Sequence, residues 1–179
     1  MKKSFYILIL ISIVLATGCI GQQQYAKTLE KDGVEYQFSD NIYDSMKIPV
    51  YDEDFILDRI RFGPEKITVV FNGSSLEDNA YFATVGFNVA HKLANFFTYS
   101  QGRFVNITAL DINNNVTQIP GSIIYMKGPN TGAEGNSVSL SNLTVGNNTY
   151  SIVVMQGTTY QNLSQAGDRL ILLVLDFRS

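Results

Sequence analysis

Cysteine, histidine and tryptophan are almost missing from this chain: one, one and none in 179 residues. A single thiol excludes an intramolecular disulfide and any zinc site built on cysteines. A single imidazole withholds the usual donor set of a catalytic metal. Charge is sparse too, with 13 basic and 16 acidic residues. There is no basic stripe of the kind nucleic-acid binding requires, and no polybasic segment for anionic lipid. The chain also lacks the run of about 20 apolar residues that crosses a bilayer. Its N-terminal apolar run, Phe5 to Ala16, is twelve residues broken only by Ser12. No internal repeat and no second domain boundary is present.

That short run has the flanks of a secretory segment. Met1-Lys2-Lys3 precedes it, and the small residues Ala16-Thr17-Gly18 follow it. The only cysteine, Cys19, comes next, ahead of the polar Gly21-Gln22-Gln23-Gln24. Ala16-Thr17-Gly18-Cys19 resembles the lipobox of prokaryotic lipoproteins, with alanine where leucine is more usual. The resemblance covers Lys2 to about Gln24. It implies cleavage before Cys19, lipidation of its thiol, and attachment to the extracytoplasmic face of the cell membrane. The expected organisation is a signal peptide over 1–18, a lipidated cysteine and flexible tether over 19–31, and one globular domain over 32–179. Cleavage removes Lys2 and Lys3, leaving 11 basic against 16 acidic residues, a net charge of −5. The remaining 161 residues suffice for one domain with a sizeable core.

Asparagine is abundant, with 15 residues. Six begin N-x-[ST] sequons: Asn72, Asn106, Asn115, Asn142, Asn147 and Asn162. These are N-glycosylation candidates in a surface protein, although Asn, Ser and Thr also concentrate in turns. A lipobox with many sequons points to an archaeal cell-surface protein. The body of the chain resembles small archaeal surface lipoproteins, a resemblance that brings no activity with it.

Periodicity lays out the domain. "GVEYQFSD" places Val34, Tyr36 and Phe38 on one strand face. "NIYDSMKIP" reads as a short helix ended by Pro49. "DEDFILDRIRFG" is a helix with acidic residues first and arginines last, as the helix dipole favours. Its core side is Ile56, Ile60 and either Leu57 or Phe55. "KITVVFN" is a buried strand. Ser75 with Asp78, or Ser74 with Glu77, then forms a capping box for a long helix over Asn79–Tyr99, closed by Gly102. "RFVNITALDI", "GSIIYMKG", "NSVSLSNLTV" and "TYSIVVMQG" read as strands, the last two joined through Gly146-Asn147-Asn148. "TTYQNLSQAGDRLILLVLDF" predicts a helix, although "LILLVL" alone also fits a buried strand. Gly167 is its weak point, costing about 1 kcal/mol against Ala.

Few residues carry chemistry. His91 shares a polar stripe with Thr84, Asn88 and Asn95, and no nucleophile–acid constellation accompanies it; it is expected to be dispensable. Asp52-Glu53-Asp54 reads as a helix-start cap rather than a Ca²⁺ site. "DINNN" opens like an EF-hand loop, but Val116 stands where glycine is needed and Ser122 where glutamate is needed. The glycine-rich segment after "GSIIYMK" is the candidate ligand loop, with Lys127, Gly128, Asn130, Thr131 and Gly132. It is either an anion cradle of backbone N–H groups or a wide strand connection. Asp168-Arg169 reads as an exposed helix pair worth little. No catalytic residue, metal ligand or cofactor is implied.

The expected fold is α/β, with α+β as the alternative: a mixed sheet of about five or six strands packed by two main helices, containing a βαβ unit. The expected function is a non-enzymatic binding or envelope-associated lipoprotein whose partner is an envelope protein or small ligand. The alternatives are a lipid-anchored hydrolase or carbohydrate-acting enzyme, and an accessory subunit of an envelope or transport complex. Because the thiol carries the anchor, Cys19→Ser is expected to move the protein from the membrane to the soluble fraction. A variant that stays membrane-bound through a high-salt wash would refute the anchor.

Overall fold

The computed structural model describes residues 27–113 and 116–178. The expected signal peptide, Cys19 and Asn115 lie outside them. The chain runs β1 (Thr28–Lys31), β2 (Val34–Gln37), α1 (Ile42–Met46), α2 (Glu53–Leu57), β3 (Lys66–Phe71), α3 (Leu76–Asn95), β4 (Asn106–Asp111), β5 (Ser122–Lys127), β6 (Ser137–Val145), β7 (Asn148–Gln156) and α4 (Tyr160–Val174). Both α2 and α3 continue into a wider π-turn, over Asp58–Phe62 and Phe96–Ser100. Gly102, at φ +63°, follows the second.

Five strands form a mixed sheet in the order β4-β3-β5-β7-β6. The first four are mutually parallel, and β6 is antiparallel to β7. The expected βαβ unit is β3-α3-β4, whose strands are adjacent and parallel from Lys66↔Asn106 to Phe71↔Asp111. Interior strands of such a sheet are covered on both faces and read as continuous apolar runs. Ile67, Val69, Ile124, Met126, Val153 and Met155 face one core, whereas Val70, Ile123, Tyr125, Ile152 and Val154 face another. The helices cover the first face. The β4–β5 connection covers the second with Ile112, Val116 and Ile119.

The C-terminal apolar run is helical, and α4 is the most enclosed element. Every residue from Ala166 to Val174 is buried. Helix α3 packs along one side of it, while the β1–β2 hairpin, α1 and α2 contribute Tyr36, Phe38, Ile48, Ile56, Leu57 and Ile60 to the same core. Phe55 points outward and is 67% exposed, so Leu57 takes the core position. Gly167 marks the α3–α4 crossing: a Cβ there would lie 3.0 Å from Val89 and 3.4 Å from Val85. What looked like a weak point lets the two helices approach.

Two readings change. Thr28–Lys31, assigned to the tether, pairs with β2 from Thr28↔Gln37 to Lys31↔Val34. Asp32 and Gly33, at φ +53° and +74°, make the turn that an Asp-Gly pair favours. Asp168 and Arg169 are not an exposed pair, since both are buried. Asp168 takes the Lys92 ammonium at 3.1 Å and the Asp40 N–H at 3.1 Å. Arg169 bonds Glu53 at 3.3 Å and the Phe177 carbonyl at 2.9 Å. These contacts staple the N-terminal segments onto α4.

Burial pushes the Asp168 carboxyl above the usual carboxylate range, and Lys92 opposes that shift. Its titration therefore favours the fold below the unfolded pKa, and that contribution is lost as pH rises through the folded value. At neutral pH the pair fixes geometry rather than adding much stability. Asp168→Asn strands the Lys92 ammonium and is expected to cost about 3–5 kcal/mol in a denaturant titration. Lys92→Met with Asp168→Leu should recover most of the loss. A double variant no more stable than Asp168→Asn would contradict this.

Candidate functional site

In open α/β sheets, sites form beyond the carboxyl ends of the strands. Here the connections that leave the neighbouring strands β3, β5 and β7 meet at that edge. Strand β3 leads through Asn72–Ser75 into α3, β5 leads into the glycine-rich loop, and β7 leads through Gly157–Thr159 into α4. Ser75 caps α3 by accepting the Asp78 N–H at 3.1 Å, and Thr159 caps α4 by accepting the Asn162 N–H at 3.1 Å.

Asp78 joins these segments. Its carboxylate is fully buried. One oxygen accepts the Ser74 hydroxyl and, at 3.2 Å, the Ser74 N–H. The other accepts the Tyr160 hydroxyl at 2.5 Å and the Asn130 amide at 3.1 Å. The Ser74 and Tyr160 hydroxyls hold this carboxyl well below the usual range against the effect of burial. The same bond from the other side, with burial adding to it, pushes the Tyr160 phenol up to about 12. Tyr160 therefore stays protonated and donating.

The Tyr160 ring in turn stacks on Tyr81 of α3, with centroids 4.1 Å apart and planes at 18°. Tyr81 is a wall of a cleft of about 720 Å³ between α3, the start of α4 and the β2–α1 connection. Ser39, Asp40, Glu77, Thr84, Asn88, Gln161 and Ser164 supply its polar groups. The Asp40 N–H is bound to Asp168, and the Asp40 carboxylate accepts Gln161 Nε2 at 3.3 Å. Asn88 Nδ2 reaches Ser39 Oγ at 3.2 Å. A chain of specific bonds thus fixes both walls.

The expected ligand loop lies beside this hub and takes the form of a wide strand connection. Gly128 N–H donates to Thr131 Oγ1 at 2.8 Å, while Thr131 and Ala133 N–H both turn to the Gly128 carbonyl. Those amides are spent within the loop. Asn130 is committed to Asp78, Gly132 sits at φ +84°, and Lys127 ends β5 with its carbonyl accepting the Gly157 N–H. His91 is exposed, stacked 5.9 Å from Phe87 and 3.3 Å from Asn95. It lines a separate hollow of about 250 Å³ with Glu35 and Asn95. Of its stripe partners, Thr84 lines the larger cleft and Asn88 lines both.

Glu53 and Asp54 are in ion pairs with Arg169 and Arg178. Asp111 closes a local turn on the Asn113 N–H at 3.0 Å. Among the described residues, no group of three or more His, Cys, Asp or Glu side chains is placed to hold a metal. Asn106, Asn142 and Asn147 are exposed, and Asn72 and Asn162 are half-buried. No described helix is long and apolar enough to cross a membrane. No family model matches the chain, and neither a curated protein nor a solved structure matches it.

Because the folded Asp78 pKa is depressed, its contribution to stability is present above the unfolded carboxylate value and is lost as pH falls through the folded one. Asp78→Asn places an amide donor among hydroxyl and amide donors. It is expected to cost about 1–3 kcal/mol at neutral pH. The gap to wild type should narrow below about pH 4. An unchanging gap from neutral pH into the acid range would refute the ionised hub.

Proposed function

We propose that this chain is a lipid-anchored extracytoplasmic binding domain that takes a small ligand in the α3–α4 cleft. The lipobox-like Ala16-Thr17-Gly18-Cys19 supports the location. One structural observation carries the binding reading: this cleft is walled by an aromatic ring whose position is set, through Tyr160, by a buried carboxylate. Its volume of about 720 Å³ falls within the range typical of small-molecule sites. Rigid polar groups around one exposed aromatic face suit reversible recognition, since little ordering remains to be done on binding.

A second reading, an accessory subunit of an envelope complex, is favoured by a different feature. An apolar groove of about 310 Å³ runs between α3 and the edge strand β4, lined by Phe71, Phe82, Phe87 and Ile107, with Phe87 69% exposed. The two readings separate in one experiment. Small-molecule fractions from growth medium are added to isotope-labelled protein and followed by NMR. The expected perturbations cluster on Tyr81, Thr84, Asn88 and Gln161, and Tyr81→Ala weakens binding by about tenfold or more. Perturbations confined to the β4 groove, or unaffected by Tyr81→Ala, would overturn the cleft reading.

A further inference from the structure

The charged groups that line the cleft are all acidic, Asp40 and Glu77. Asn88 spends an amide N–H on Ser39, and Gln161 spends one on Asp40. Each amide keeps its oxygen and one N–H, and the Ser39 and Ser164 hydroxyls can both donate and accept. Thr84 donates its hydroxyl hydrogen to the Ala80 carbonyl at 3.0 Å, which leaves only lone pairs toward the cleft. Asp40 and Glu77 add carboxylate oxygens. No lysine or arginine lines the space. Tyr81 has one face covered by Tyr160, so its remaining face is the one available to a ligand. Aromatic faces carry negative potential and attract cations.

We infer that the cleft recognises an organic ammonium ligand, a small amine or polyamine that is rich in N–H donors and positively charged. This rests on the proposed role of the cleft as the ligand site. An anionic ligand would meet two carboxylates and no cationic partner. A neutral polyol would satisfy the acceptors, but it would leave both carboxylate charges without a counter-charge. An ammonium group satisfies acceptors, charge and ring together. Its charge would be taken by Asp40 and Glu77, and its methylene stem would lie along Tyr81, Ala80 and Val85. A metal ion would find only two carboxylates here and would depend on amide and hydroxyl oxygens for the rest of its shell.

The test titrates the full chain, in a neutral detergent, with spermidine, putrescine, glucose, citrate and Ca²⁺, following cleft resonances by NMR. Spermidine is expected to bind more tightly than putrescine, with shifts on Tyr81, Asn88 and Gln161, while glucose and citrate leave these residues unmoved. Glu77→Gln and Asp40→Asn should each weaken spermidine about threefold to fivefold. Affinity should fall as salt rises from about 0.02 to about 0.2 M, because screening shortens. Both variants are checked for an unchanged thermal transition, so a binding loss is not a folding loss. Glucose binding in the cleft without spermidine binding would overturn the ammonium assignment and leave the cleft reading standing. Shifts confined to other surfaces, or none with any probe, would overturn both. Tightest binding by Ca²⁺ would replace the ammonium with a metal and refute the inference.

Discussion

The buried carboxylate of Asp78 is the constraint on which the upper edge of the molecule depends. It satisfies donors from the β3–α3 turn, the β5–β6 loop and the first turn of α4, three segments that follow neighbouring strands of the sheet. A buried carboxylate with fewer donors would be costly, and the donors without it would be stranded. Each segment is therefore held by the needs of the others. The consequence reaches the cleft through one further contact, the stack of Tyr160 on Tyr81. Asp168 plays the corresponding part lower down. It holds the Asp40 backbone and, with Lys92, fixes how the N-terminal segments lie across α4.

These two acidic centres differ in what they contribute. Asp78 is surrounded by donors, so its charged form is favoured. Asp168 is dominated by desolvation despite Lys92, so its charged form is disfavoured relative to water. The first adds stability at neutral pH, whereas the second mainly specifies an arrangement, and apolar residues of similar volume would recover most of what breaking the pair costs. Both lie on helices that flank the cleft, and its shape depends on both. A ligand site placed among such over-determined contacts needs little rearrangement on binding.

Much of the architecture was legible in the sequence. β-branched runs such as "KITVVF" and "TYSIVVMQ" became strands because their composition suits burial on both faces. The spacing of Phe82, Val85, Val89, Leu93 and Phe96 gave α3, and Ser75 capped it as the local pattern requires. "DRLILLVL" is helical because apolar residues on all sides suit a helix enclosed by a sheet, a second helix and a hairpin. Asp168-Arg169 and Gly167 read differently in the fold because tertiary burial reaches locally polar or flexible residues. Asp168-Arg169 looks like a solvated pair until Lys92, Asp40 and Glu53 arrive from 76, 128 and 116 residues away. Gly167 looks like a helix defect until Val85 and Val89 come against it. The Asp32-Gly33 hairpin carried a local signal, outweighed by the polar run preceding it. The cleft had only a faint trace, Thr84 and Asn88 on one stripe of α3, because its other wall comes from residues 39–40 and 161–164.

The phenol of Tyr160 reports on the central claim, that an ionised, buried Asp78 orders the cleft edge. Its ring carbon bearing the hydroxyl is followed by ¹³C NMR through an alkaline titration, with the resonance assigned by Tyr160→Phe. The account predicts that Tyr160 is still largely neutral at about pH 11, where a free phenol is mostly ionised, and titrates at about 12. Titration of Tyr160 near the free-phenol value, with the protein still folded, would contradict it.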